Sequence, residues 1–140
     1  MCERIKSKLF FSNNTNEKLV TSYFSNLKNL KELNYTPISI CGKPPCFYNG
    51  LEMKILAPKY SFFKEWKENK INNDDYIKLY YNLVLKNMNP KEIYNIFFQK
   101  SNQNKVVLLC YEKPFDFCHR HIISVWFNHF LKINIPEIKL

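Results

Sequence analysis

VVLLCYEKPFDFCHRHIISVWF, residues 106–127, joins two apolar runs through a short polar stretch that holds much of the reactive chemistry of the chain. VVLLCY is apolar and β-rich throughout, the pattern of a strand covered on both faces. From about Asp116, a natural N-cap, to about Leu131 the spacing predicts a helix. His121, Ser124, Asn128 and Lys132 fall on one face of it, and Cys118, Ile122, Val125, Trp126 and His129 lie towards the other. A buried strand followed directly by a helix is the unit of a parallel α/β sheet, whose ligands collect at the carboxyl ends of the strands.

The segments upstream repeat that unit. KLFFS (Lys8 to Ser12) and KLVTSYF (Lys18 to Phe24) read as strands around a polar turn, and Leu27, Leu30 and Leu33 have helical spacing. TPISICG reads as a strand from Thr36 to Gly42, and KPPCFYNG as a loop. SFFKEWKEN is a short helix capped by Ser61. NDDYIKLYYNLVLKNM, residues 73–88, carries an apolar stripe at Ile77, Tyr80, Tyr81, Val84, Leu85 and Met88 and predicts one continuous helix. Asn89, Pro90 and Glu92 form the start signal of a further helix through Phe98. INIPEI, 133–138, reads as a closing strand. The expected fold is α/β: a compact three-layer α/β/α, Rossmann-like domain around a small, mainly parallel sheet of about 4–5 strands. Residues 1–18 read as an N-terminal extension or strand, and 19–140 as a single domain.

Composition narrows the function. Of 140 residues, 46% are hydrophobic and 16% aromatic, which excludes a disordered chain. Gly42 and Gly50 are the only glycines, so a glycine-rich phosphate loop is excluded and any anion must meet side chains and helix N-termini. The charge of +9 favours an anionic partner, with nucleic acid among the candidates. No run reaches the roughly 18 apolar residues of a membrane span. Five cysteines without a secretory signal point to reduced thiols in a cytoplasm.

CYEKPFDFCHRH admits three chemistries. As a metal centre it offers Cys118, His119 and His121, with Cys41 and Cys46 as a C-x4-C pair. His119 and His121, two apart on a helix, point roughly 200° apart and do not converge on one ion. The expectation is therefore no metal and no cofactor, with zinc at the Cys/His cluster the lesser reading. As a nucleophile, Cys118 in a first helical turn gains from free N–H groups and the helix dipole, with His119 or Glu112 as proton shuttle. As an anion cradle, the loop and helix start supply Lys113 and Arg120. Strand ends at Ser22 and Tyr23, at Cys41, Gly42 and Lys43, and at Cys110, Tyr111 and Glu112 converge on the same place. Lys59 and Tyr60, just before a helix, complete that pocket, and Phe62, Phe63 and Trp66 are assigned to the core.

LLCYEKPFDFCHRHIISVW, with TSYFSNLKNL, PISICGKPPCFYNG and LAPKYSFFKEWK upstream, resembles short bacterial and phage members of the domain-of-unknown-function 488 family over about residues 19–138. The family signature, C-Y-E-K and then C-H-R, falls on Cys110, Tyr111, Glu112, Lys113, Cys118, His119 and Arg120, with looser matches at Tyr23, Lys59 and Tyr60. The resemblance implies a compact three-layer α/β domain and an association with nucleotides or nucleic acid.

The expectation is thus a cytoplasmic protein that binds a nucleotide-like, phosphate-bearing ligand at the carboxyl ends of its strands. Lys113 and Arg120 hold the anionic group, Glu112 orients Arg120 or takes a ribose hydroxyl, and Tyr23 and Tyr60 stack on the base. A phage protein sequestering an immune signalling nucleotide fits that description as a binding module. The alternatives are a nucleotide- or nucleoside-processing enzyme with Cys118 as nucleophile, and a nucleic-acid-binding module.

Overall fold

The computed structural model describes residues 17–138. KLFFS and Cys2 lie outside the described residues. β1 (Leu19–Tyr23), β2 (Thr36–Ser39), β3 (Leu51–Glu52) and β4 (Val106–Cys110) form one all-parallel sheet in the order β1-β4-β2-β3. The helices are α1 (Leu27–Glu32), α2 (Tyr60–Lys67), α3 (Asn73–Tyr80), α4 (Pro90–Lys100) and α5 (His119–Leu131).

β4 takes a central place because its side chains suit neither solvent nor an edge. Val106 and Leu108 point into one core and Val107 and Leu109 into the other, all four at 0% exposure. On the first side lie Phe62 of α2, Ile77 and Tyr80 of α3, Phe97 of α4, and Ile123 and Phe127 of α5. On the second lie Phe24, Leu30 of α1, Tyr35, Tyr48 and Ile138. Helices thus cover both faces of the sheet, thickly on one and thinly on the other. Gly50 is needed for the packing of the loop before β3: a Cβ there would stand 2.6 Å from the Tyr48 hydroxyl, which donates to the carbonyls of Pro37 and Leu51.

Several elements depart from the sequence reading for local reasons. The last helix begins at His119, with Cys118 in its N-cap position and extended (φ −155°, ψ 147°). Asp116 sits instead in a turn whose N–H donates to the Lys113 carbonyl. The face expected to be polar is largely covered, since His121 and Ser124 are buried with their apolar neighbours. α2 starts at Tyr60 after Lys59, and Ser61 is not its cap. The helix expected over 73–88 changes to a π-turn at Tyr81–Leu85, marked by the Lys86 N–H donating to the Tyr81 carbonyl. The extra residue per turn lets Tyr80, Val84 and Leu85 all reach the core and leaves Tyr81 outside. α4 begins as expected, with the Asn89 side chain accepting from the N–H groups of Lys91 and Glu92.

INIPEI is not a strand. It lies beside β1 through one isolated bridge, Thr21 to Glu137, with the Thr21 N–H donating to Pro136 and the Ile138 N–H to Thr21. Ser22 also donates its hydroxyl to the Ile138 carbonyl. This segment ties the end of the described chain to its beginning. No helix among the described residues is long and apolar enough to cross a membrane.

Candidate active site

Beyond the carboxyl ends of β2 and β4 lies a cavity of about 450 Å³, within the range of small-molecule sites. Parallel pairing brings Cys41, Gly42 and Lys43 after β2 beside Cys110, Tyr111 and Glu112 at the end of β4. Phe63 and Trp66 of α2, Tyr76 of α3, and Phe117 form an aromatic wall. The Trp66 ring centroid lies 5.2 Å from that of Tyr76 and 5.4 Å from that of Phe117, and Tyr76 meets Phe117 edge-on at 5.0 Å. Such a wall offers flat apolar surfaces to a planar ligand.

At the inner end, Cys118 and His119 form the chemically distinctive pair. His119 is 3% exposed, and its Nε2 lies 2.7 Å from the Ile40 carbonyl oxygen. A carbonyl only accepts, so Nε2 carries a proton and Nδ1 is the nitrogen left for chemistry. Nδ1 lies 3.7 Å from Cys118 Sγ and 3.7 Å from Cys110 Sγ. A thiol, an imidazole and a backbone group that fixes the imidazole in one tautomer stand in sequence, the arrangement that a nucleophile and its base require. Cys110 also reaches Glu112, whose Oε2 is 3.4 Å from its Sγ. The other Glu112 oxygen lies 3.9 Å from Lys67 Nζ.

The two thiols are driven apart in acidity. Burial alone would raise the Cys118 pKa, but hydrogen bonding from Cys110, the Arg120 charge and His119 together hold it well below the ordinary thiol range. Cys110 moves the other way, held well above that range by its bond to Cys118 and by burial. Both shifts point the same way: Cys118 is the more acidic of the two thiols. Burial would lower the His119 pKa, yet the Cys118 charge and its hydrogen bonds raise it. Burial, and then the Cys118 charge, push the Glu112 pKa up from the ordinary carboxylate value.

The structure sorts the expected site residues. Cys118, His119, Glu112, Cys41, Gly42, Lys43, Tyr60 and Tyr111 all line the cavity. Tyr111 also donates its hydroxyl to the Lys43 carbonyl, holding that loop. Gly42 is not required by packing, since a Cβ there would meet only Ala57 Cβ at 3.9 Å. Tyr60 stands at the rim, 73% exposed.

Arg120 is a correction. It does not line the cavity; it is wholly buried, with its guanidinium taken by Glu137 and its Nη2 also donating to the Lys113 carbonyl. An arginine inside a closed helix face demands a buried carboxylate, and Glu137 between Pro136 and Ile138 supplies it. Arg120 acts on the site through the field it places on Cys118. Glu112 accordingly does not orient Arg120. Lys113 and Lys59 are exposed and line no part of the cavity, Ser22 is buried against Ile138, and half-buried Tyr23 is also absent from the wall.

The zinc set weighed on sequence does not assemble either: Cys46 is exposed, Cys41 contacts Ser39, and His121 shares no cavity wall with His119. A different trio does, in which Cys110 joins Cys118 and His119 with ligating atoms all within 4.8 Å of one another. Sequence reasoning missed Cys110 because it read that residue as a strand end. It missed Phe63 and Trp66 because an aromatic run before an amphipathic helix has the signature of core.

A family model described as the active DUF488-N3 subclade matches residues 48–130, more than half of the chain. The chain belongs to the DUF488 family. No curated protein and no solved structure matches it at a significant level.

Proposed function

We propose that this DUF488 domain binds a nucleoside- or nucleotide-like ligand in its aromatic cavity and acts on it with Cys118 as a thiolate nucleophile. The observation that carries the reading is the Cys118–His119–Ile40 chain, in which a backbone carbonyl fixes the imidazole so that Nδ1 faces the thiol. In this reading Trp66, Tyr76 and Phe117 take the planar part of the ligand. Lys43, the cation in the cavity wall, takes the phosphate assigned on sequence to Lys113 and Arg120. Cys118 Sγ forms a bond to an electrophilic ligand carbon as the bond from that carbon to the leaving group breaks, and the leaving group takes the proton from His119. Water then displaces Cys118 Sγ from the carbon, giving its proton back to His119, and Glu112 exchanges protons with solvent.

A retention experiment tests this. Purified protein is mixed with a pool of nucleotides, nucleosides and signalling nucleotides, freed of unbound material and denatured, and the released compounds are identified by mass spectrometry. The expected result is a retained compound that is chemically changed by the native protein and unchanged by Cys118→Ala. A ligand recovered unchanged from both reduces the protein to a binding or sequestering module. Nothing retained removes the cavity assignment and leaves nucleic acid or a protein partner.

A further inference from the structure

We infer that Cys110, Cys118 and His119 also form a binding site for one thiophilic divalent cation, zinc by its chemistry, whose occupancy weakens Cys118 as a nucleophile. The argument is geometric. Zinc bonds of about 2.3 Å to sulfur and about 2.0–2.1 Å to nitrogen, at a tetrahedral angle, require the sulfur and nitrogen ligands to stand about 3.6 Å apart. His119 Nδ1 stands 3.7 Å from each of the two sulfurs. All three ligating atoms lie within 4.8 Å of one another in buried surroundings. Both sulfur–nitrogen edges thus have the spacing of a tetrahedral site, and the two sulfurs stand no more than 4.8 Å apart.

The surroundings support the same assignment. A metal-binding histidine ordinarily donates its second N–H to a carboxylate or a backbone carbonyl, which fixes the ring and raises its basicity. His119 does this at the Ile40 carbonyl, 2.7 Å away. The three residues line the cavity wall, so a ligand could approach the fourth corner, and the Glu112 carboxylate, 3.4 Å from Cys110 Sγ, stands beside it. On binding, Cys110 loses its proton to solvent, and the resulting pair of thiolates with an imidazole selects a soft ion and rejects magnesium and calcium. A bound cation draws charge from the Cys118 sulfur, so occupancy weakens it as a nucleophile. Cation binding itself does not depend on the protein's having any catalytic activity.

The test uses the 140-residue chain with Cys2 and Cys46 changed to serine, freed of metal and titrated with cobalt(II) as a coloured stand-in for zinc. A stoichiometric complex with intense thiolate-to-cobalt charge-transfer absorption is expected. Cys110→Ser should halve that absorption, and His119→Ala should weaken binding by more than about tenfold. One equivalent of zinc should slow alkylation of Cys118 by iodoacetamide, and a chelator should restore the rate. Cobalt binding without thiolate absorption overturns the inference, as does alkylation that proceeds unchanged in zinc. Slow alkylation of the metal-free protein would instead count against Cys118 as a nucleophile and leave the cobalt spectrum to decide the metal site.

Discussion

Arg120 and Glu137 meet in a forked ion pair closed to solvent, with Nε 3.0 Å from Oε1 and Nη2 2.9 Å from Oε2. Thr21 donates its hydroxyl to the same Oε1 at 2.6 Å. One carboxylate therefore joins the helix that carries the site, the first described strand and the closing segment. Removing it leaves a guanidinium buried without its counter-charge.

Glu137→Ala should therefore cost about 3–5 kcal/mol of stability, measured by urea denaturation. Replacing both partners with apolar residues, Arg120→Met with Glu137→Leu, should recover most of that loss. A single substitution costing no more than an exposed pair, under about 1 kcal/mol, would contradict the burial described.

Cys118 should react with iodoacetamide at neutral pH nearly as fast as at alkaline pH, in the Cys2→Ser, Cys46→Ser background. Its folded pKa is depressed below the unfolded value near 8.5. The linked stability is thus fully present above that value and is lost as pH falls through the folded pKa. His119→Ala removes one of the groups holding the thiolate. Its labelling rate should fall as pH drops below about 8.5. A rate profile identical to that of the native protein would separate His119 from the thiolate.

Trp66 is the only one of the two tryptophans that lines the cavity. With Trp126→Phe, tryptophan emission reports that wall alone. Binding of a planar ligand should quench it, and Trp66→Ala should weaken the ligand retained in the mass-spectrometry experiment by about tenfold, the scale of a lost stacking partner. Unchanged emission at saturating ligand would place the ligand elsewhere.

Lys43→Ala should reduce the preference for a nucleotide over its nucleoside by about tenfold, as the loss of one hydrogen bond to a charged group implies. Arg120→Met in the double variant with Glu137→Leu should leave that preference intact. Comparison of the affinities by calorimetry checks both. Loss of the preference in the Arg120 variant instead would return the phosphate to the position assigned from sequence.

Much of this was legible before the structure. The uniform apolarity of VVLLC announced a central strand, and Asn89-Pro90 announced a helix start, because local chemistry alone decides both. Cys118, His119 and Glu112 were expected near one another because strand-to-helix junctions bring such groups to the sheet edge, and all three line the cavity. Arg120 was misassigned for a non-local reason: its partner lies 17 residues on, in a segment read as a strand. The start of α5 was misplaced because Asp116 is a good cap by type, while the turn held by the Lys113 carbonyl keeps it outside the helix. Cavity and core aromatics share one sequence signature, so Trp66 could be told from Phe62 only by packing.

The order of the sheet has a consequence for how the protein is made. β1 and β2 are synthesised early but do not touch; each pairs with β4, which leaves the ribosome some seventy residues after β2 ends. Pairing must await a distant partner, and contacts of such long range slow folding. The nascent amino-terminal part therefore carries two unpaired strand edges until β4 docks. A chaperone that shields those edges would act within that interval, and a stall in translation before Val106 would extend it. β4 also carries Cys110 at its carboxyl end, so docking of β4 is needed before Cys110 can meet Cys118 and His119.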